Sequence, residues 1–548
     1  MGKILDMTIK GAIICALVVS CGPKGIPELD YEALNARAAA EYLQPVHPGV
    51  RTEVPFWNGY SFKFIYAPAF DFEDVEGAAD YVYTTTCGEQ AFAFNAPSPR
   101  ATLSPIWNEL PVGPVELSVQ ALDEDGNAVG EPQKRSFERD NPFCGPYEPA
   151  PRGYREAAIM AAQFIHNSPV AQGWLGEGDK PSLRYELNCY PNKIWGGTIQ
   201  IECFIAREIP ELRDEALKVA RTAADALIAE SQPEDGPLPY FPPTYYSREG
   251  VEFIWYIQRV IDRNRDYTMF ADAVMAADAL LDLYDTTGEE KYFTHACRIA
   301  ETYKNLQAED GSWPVKVNKN TGEPITAARC MPTSILQLAQ RLHDKYGVKG
   351  FEKMISTTED WLWKNTIANF NFNGQFEDVN VADKASYQNL TNCIAVDCVD
   401  YFLRKPKPSK KEIAACLEMT RFAEDQFTRW HSPVAEDADA NAGEAYSTPF
   451  VFEQYSFQCP IDASTVGVAN AWMNVFETTR DPLALAKAIA LVDSIVKIQD
   501  PDCGCIPTSL YQDASVDISE HWVNCTYSSI CKLIRLDGIL NKPTAHSL

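Results

Sequence analysis

Three times along this chain a helical pattern ends in Gln, then Asp and Gly, then Pro: Gln232 to Pro237, Gln307 to Pro314 and, with a Cys interposed, Gln499 to Pro507. The Gly supplies the left-handed turn that stops a helix, and the Pro beyond it keeps the helix from resuming. Each copy closes an amphipathic helix and is followed some way on by a largely apolar one, so the unit is repeated. A helix that is apolar around most of its circumference must be covered on more than one side. That requirement constrains the fold more than any other feature.

Two kinds of helix alternate from residue 154 onward. Residues 269–284 are apolar on most faces, an inner type, whereas residues 289–306 carry Tyr292, Phe293, Ala296, Ile299 and Tyr303 on one stripe and charges elsewhere, an outer type. An outer-type helix spans 154–166. Inner and outer pairs then begin near Pro191 and Glu211, Thr268 and Glu289, Pro332 and Phe351, Gln388 and Ser409, and Asp462 and Pro482, and a last inner-type helix spans 519–537. The unpaired first and last helices complete a sixth hairpin if the chain closes into a ring. Links from inner to outer helices are short, as in Thr286-Thr287-Gly288, and links from outer to inner helices are long. Long loops in a compact domain are where function concentrates. Here they should share the face at the N-terminal ends of the inner helices.

The segments ahead of this domain differ in period. Residues 1–21 have Lys3 and Lys10, a short apolar run and then Leu17-Val18-Val19-Ser20-Cys21, which resembles a bacterial lipoprotein signal in which Cys21 is acylated. Residues 22–50 are expected to be a linker with one helix over 31–42. Across 51–145 the period becomes two, as in Tyr60, Phe62, Phe64 and Tyr66 and in Val115, Leu117, Val119 and Ala121, with further strands at 81–86 and 90–95 and a hairpin turn at Asp125-Gly126-Asn127. This resembles a small β-sandwich of the fibronectin III or immunoglobulin kind. Residues 146–548 form the helical domain.

A formal net charge of −28 argues against nucleic acid as a partner. Many of the 16 cysteines, among them Cys203, Cys297, Cys393, Cys398 and Cys416, sit inside helical patterns and are expected to be small buried hydrophobes. The sequence has no His-Glu-x-x-His, no phosphate-binding Gly-x-x-x-x-Gly-Lys and no Gly-x-Ser-x-Gly, so neither a metal nor a cofactor is expected.

Twelve helices in six hairpins behind a small β module resemble the six-hairpin glycosidase superfamily, which implies a mainly α fold, an (α/α)6 toroid. The resemblance implies a lipid-anchored enzyme that takes an oligosaccharide or polysaccharide in a cleft at the loop-rich face. Hydrolysis next to a uronic acid is the first expectation. A polysaccharide lyase and a non-catalytic glycan-binding lipoprotein resembling the SusD family are the alternatives.

Hydrolysis needs two carboxyl groups flanking the scissile bond. The candidates at inner-helix starts or in long loops are Asp462, Glu520, Asp378, Glu377 and Glu252, although Asp462 and Glu520 equally suit helix capping. A lyase would use Tyr246, Tyr245, His431 or His521 as its base or acid. Arg329, with Lys316 ahead of it, could grip a uronate carboxylate. Trp313, Trp195, Tyr190 and Arg248 complete the aromatic and polar set expected to hold a sugar.

Overall fold

The computed structural model describes residues 25–47, 56–176, 181, 185–247, 255–377, 387–431, 448–510 and 521–541. Six inner helices, α5 (Pro191–Glu208), α8 (Ala273–Thr287), α10 (Thr333–Tyr346), α12 (Asn392–Leu403), α14 (Asp462–Thr479) and α16 (Val523–Leu540), follow one another around a closed ring in which α16 packs back on α5. Each has its outer partner: α6 (Arg213–Ala229), α9 (Glu290–Asn305), α11 (Glu352–Leu362), α13 (Lys410–Phe427), α15 (Pro482–Ile498) and, for α16, the first helix of the ring, α3 (Tyr154–Asn167). This is the (α/α)6 toroid that the helix count implies, with its seam between α3 and α16. The short links behave as expected, Gly288 and Gly347 taking φ of 74° and 71° where α8 and α10 stop. No described helix is long and apolar enough to cross a membrane.

The repeated Gln motif is the joint between neighbouring outer helices. Gln307 Nε2 donates to Gly311 O in its own turn and to Met354 O and Thr358 Oγ1 of α11 (3.3, 3.1 and 2.8 Å). Gln499 Nε2 likewise donates to Gly504 O and, across the seam, to Ala157 O of α3 (both 2.8 Å). The two glycines lie so close to the next helix that a Cβ would stand 2.3 Å from Thr357 O or 2.6 Å from Met160 O. In the first copy Gln232 reaches Lys319 O instead (2.8 Å).

The long links carry smaller elements: α4 (Pro169–Gly176), α7 (Trp255–Asn264), a ribbon of β6 (Tyr267–Met269) with β7 (Lys316–Asn318), and a three-stranded sheet of β8 (Thr428–Arg429), β9 (Phe450–Gln454) and β10 (Phe457–Pro460). Bridges Thr391 to Gln454 and Ile461 to Ser509 draw these loops onto the N-terminal ends of α12 and α14.

The N-terminal region departs from expectation in two ways. Helix α1 (Tyr31–Glu41) forms where the pattern places it, but the segment around it is docked on the ring. Leu34, Ala38 and Tyr42 are buried, Arg37 makes two 2.6 Å bonds to Asp481 ahead of α15, and Tyr42 Oη donates to Glu424 of α13 (2.8 Å). The expected sandwich is one five-stranded sheet in the order β1-β5-β4-β2-β3, from β1 (Lys63–Phe64), β2 (Asp80–Cys87), β3 (Gln90–Ala96), β4 (Gly113–Leu122) and β5 (Ala128–Arg139). Its apolar face is covered by the short α2 (Ser104–Trp107) and irregular chain, with Phe64 against Phe70 and Phe137, and Trp107 Nε1 bonded to Ile65 O. The run from Tyr60 to Tyr66 yields only a two-residue strand because Phe64, Ile65 and Tyr66 are all buried, between the sheet and α13. There Lys63 Nζ joins Asp140 (2.9 Å) to the carbonyls of Asp425 and Thr428, and Asp425 Oδ1 accepts from Ile65 N and Tyr66 N.

Candidate functional site

The first turns of α5, α12, α14 and α16, with the loops tied over them, enclose a cavity of about 720 Å³. Lys193, Asn392, Ser464 and Asn524 stand near its mouth, with Phe376 and Glu377 on one wall and Glu453, Gln454 and Phe457 of the β9–β10 hairpin on another. Trp522, just ahead of α16, completes the rim with its ring stacked on Tyr190 at 5.4 Å. Deeper along the axis come Asp397 and then a polar layer in which Asp400 accepts from Asn470 (2.8 Å) and Gln337 (3.3 Å).

Asp397 is set apart by its surroundings. Its side chain is exposed to the cavity, with the protein close about it. That setting, with Asp400 one turn away, pushes its carboxyl up to about 7 against the opposing pull of Lys532. Glu453 lines the same cavity, and burial followed by the charges of Glu453 and Asp397 pushes the thiol of Cys393 up to about 12. Glu453 Oε2 accepts from Gln454 Nε2 at 3.0 Å. A second acidic group lies at the α5 side, where Lys193 Nζ bonds Glu377 Oε2 at 2.5 Å and lies over the Trp522 ring. Next to it, burial and then the Glu377 charge push Asp272 up to about 7, with Lys193 and Lys316 acting the other way.

Of the residues expected from sequence, Glu377 alone among the described ones lines the cavity. Tyr245, Tyr190 and Lys316 support it from behind: Tyr245 Oη donates to Glu377 O (2.6 Å), and Lys316 Nζ bonds Asn264 Oδ1 (2.9 Å) while lying over the Tyr245 ring. Asp462 does open α14, but its carboxyl turns between helices to accept from Ser529 of α16 (2.9 Å), and burial pushes it up to about 7. Trp313 and Trp195 are fully buried, bonded to the carbonyls of Tyr303 and Asn188, and Tyr246 packs edge-on against Trp195. Their indole and phenol rings serve the packing of loops on helix ends.

His431 lies away from the lining, stacked on Tyr147 and 3.1 Å from its Oη, and burial lowers its pKa. His521 is buried beside Cys505, with Nε2 3.5 Å from Sγ. Arg329 is exposed at the surface near Asp310, whose pKa it helps lower, and is no part of the lining. Cys21, Arg248, Glu252, Asp378 and Glu520 fall outside the described residues. Cys203, Cys398 and Cys416 are buried as expected, whereas Cys297 and Cys393 are only partly covered and Cys393 lines the cavity.

Asp397, Asp400, Glu453 and Lys532 are absent from the sequence-derived set. The signal for the first two was present: in Asn392-Cys-Ile-Ala-Val-Asp-Cys-Val-Asp-Tyr-Phe-Leu403 two carboxyls interrupt a helix that is otherwise apolar, and in a ring of this kind only the axis can receive them.

The sequence matches no family model and no curated protein. Solved structures of similar architecture include a family 76 glycoside hydrolase from a bovine Bacteroides thetaiotaomicron strain, at 10% identity over 87% of this chain and 98% of that one, with a TM-score of 0.44. The cellobiose 2-epimerase of Spirochaeta thermophila is 10% identical over 70% of this chain and 98% of that one, with a TM-score of 0.45. An unsaturated glucuronyl hydrolase specific for heparin is 10% identical over 71% of this chain and 98% of that one, with a TM-score of 0.43.

Proposed function

We propose that this chain is a glycan-processing enzyme that hydrolyses a glycosidic bond in the axial cavity, with Asp397 as general acid and Glu453 as the second carboxyl group. The observation that supports the reading is that both carboxyl groups line the same cavity, with Asp397 pushed up to about 7 and so able to carry a proton near neutral pH. Protonated Asp397 gives its proton to the leaving oxygen, and Glu453 serves the anomeric carbon or the attacking water. A lyase would need a Tyr or His base, and the described lining offers neither. The uronate expectation rested on Arg329, which lies outside the cavity, while the lining sets Glu377, Glu453, Asp397 and Asp400 against Lys193 and Lys532. The substrate proposed is therefore an uncharged saccharide.

A screen of plant, algal and microbial polysaccharides tests this, read by reducing-sugar release and by ultraviolet absorbance from a new double bond. Hydrolysis that falls roughly 10²- to 10⁴-fold in Asp397→Asn is expected. Absorbance growth would establish a lyase, and binding without either product would establish a glycan-binding protein. Acylation of Cys21 is proposed as the means of membrane attachment, and Cys21→Ala should move the protein from the membrane to the soluble fraction. Unchanged sedimentation of that variant would rule the anchor out.

A further inference from the structure

We infer that the saccharide taken by this site is a chain that runs out of the cavity across Phe457, which forms a separate binding position beyond the rim; the inference rests on the reading of the cavity as a saccharide site. Phe457 is 52% exposed, the most exposed large apolar side chain among the described residues. Scattered apolar residues on a surface need no explanation. This one stands at the cavity's edge, on the hairpin that also carries Glu453.

The hairpin is held firmly while Phe457 itself is left out of the core. Tyr455, two residues earlier, is buried and its Oη bonds Gln426 (2.6 Å) and Ser61 (2.8 Å). Tyr455 N donates to Leu390 O (3.0 Å), and Ser456 N donates to Asn389 Oδ1 (2.9 Å), whose Nδ2 in turn holds Gln454 (2.7 Å). The register of β9 with β10 shifts between Phe457 and Pro460, so the strand leaves regular pairing where Phe457 projects. The arrangement is an exposed aromatic side chain on a firmly held hairpin, sharing the cavity's edge with Gln454 and Ser456. Such a surface suits the apolar face of a sugar ring with hydroxyls at its edge. Trp522 cannot serve in the same way, because Tyr190 covers one side of its ring and Lys193 approaches it as well.

The test is calorimetric titration of the full chain carrying Asp397→Asn, which slows turnover, with α- and β-linked gluco-, manno- and xylo-oligosaccharides from disaccharide to hexasaccharide. For the series that binds, affinity should rise with length once the chain reaches the rim. Adding Phe457→Ala should remove that rise, weakening the longer members roughly five- to tenfold. It should leave the disaccharide and the melting temperature unchanged, and Phe457→Trp should keep the rise. Equal affinity of the Ala variant and its parent for every length, or equal weakening at every length, would overturn the inference while leaving the saccharide reading in place. If no member of any series binds, both fall.

Discussion

Asp397 and Asp400 are one turn apart on α12, and their carboxyls are driven in opposite directions. The surrounding protein acts to raise both, although Asp397 is exposed to the cavity and Asp400 only partly covered. At Asp400 it is outweighed by Arg404, Asn474, Lys532 and Arg535, which hold the group below the usual carboxylate range, whereas Asp397 has Asp400 itself as a near neighbour and rises to about 7. A general acid must carry its proton, so hydrolysis should fall as pH rises through about 7, and the residual activity of Asp397→Asn should lose that limb. A pH–rate profile of both proteins checks this. Asp462 carries a linked prediction about stability. Its folded carboxyl rises to about 7 by burial, so between its ordinary range and 7 the folded state holds a proton that the unfolded state has lost. Its contribution is therefore complete in acid and disappears as pH rises through 7. Asp462→Asn should be close to neutral at pH 4 and more stable than the parent at pH 8, by on the order of 2–4 kcal/mol. Chemical denaturation at the two pH values measures it. Neither group's behaviour could be read from sequence, because Asp462 sits where a cap or a catalyst would and only the position of Ser529 decides which way it turns.

At the scale of elements, the alternation of helix types and the lengths of the links were fully legible, since both follow from which faces must be covered. The role of the Gln motif was only half legible: its left-handed turn holds at Gly311 and Gly504 but not at Gly236, and its bond to the next outer helix depends on a partner distant in sequence. Gly504→Ala should place a methyl group against Met160 O in a left-handed conformation and cost about 1–3 kcal/mol, read as a lowered melting temperature. The sandwich expectation failed because strand alternation reports that one face of a sheet is buried, not what covers it. What covers it here is tied to the ring by buried charge. Lys487 Nζ of α15 bonds Glu424 Oε2 of α13 (2.7 Å), and the same carboxylate accepts from Tyr42, Tyr66 and Trp430. Both charged side chains are wholly buried. Lys487→Met should destabilise by about 3–5 kcal/mol, and the double variant with Glu424→Gln should recover much of that loss. Equal melting of the single and double variants would mean that the two charges are not coupled.

At the scale of the whole molecule, closure is the feature on which everything else rests, because the cavity exists only while six inner helices surround an axis. Removing residues from 523 onward deletes α16 and opens the ring. The buried Val523, Ile530, Leu533 and Leu536 would be lost and the facing side of α3 exposed, so the truncated chain should fail to melt cooperatively at the temperature of the full one. Closure also sets an order of events during synthesis. Helix α3 is the first of the ring to leave the ribosome, and Ala157, Ala158, Ala161, Ala162 and Ile165 on it are all buried in the finished protein. Helix α5 soon covers part of that face, but the hairpin partner α16 is the last helix of the ring to be translated, on the order of tens of seconds later at ordinary elongation rates. Through that interval α3 offers an uncovered apolar strip to chaperones and to other nascent chains. A gene rearranged to begin at another short link would let α16 and α3 emerge together and shorten the wait, with the same ring at the end.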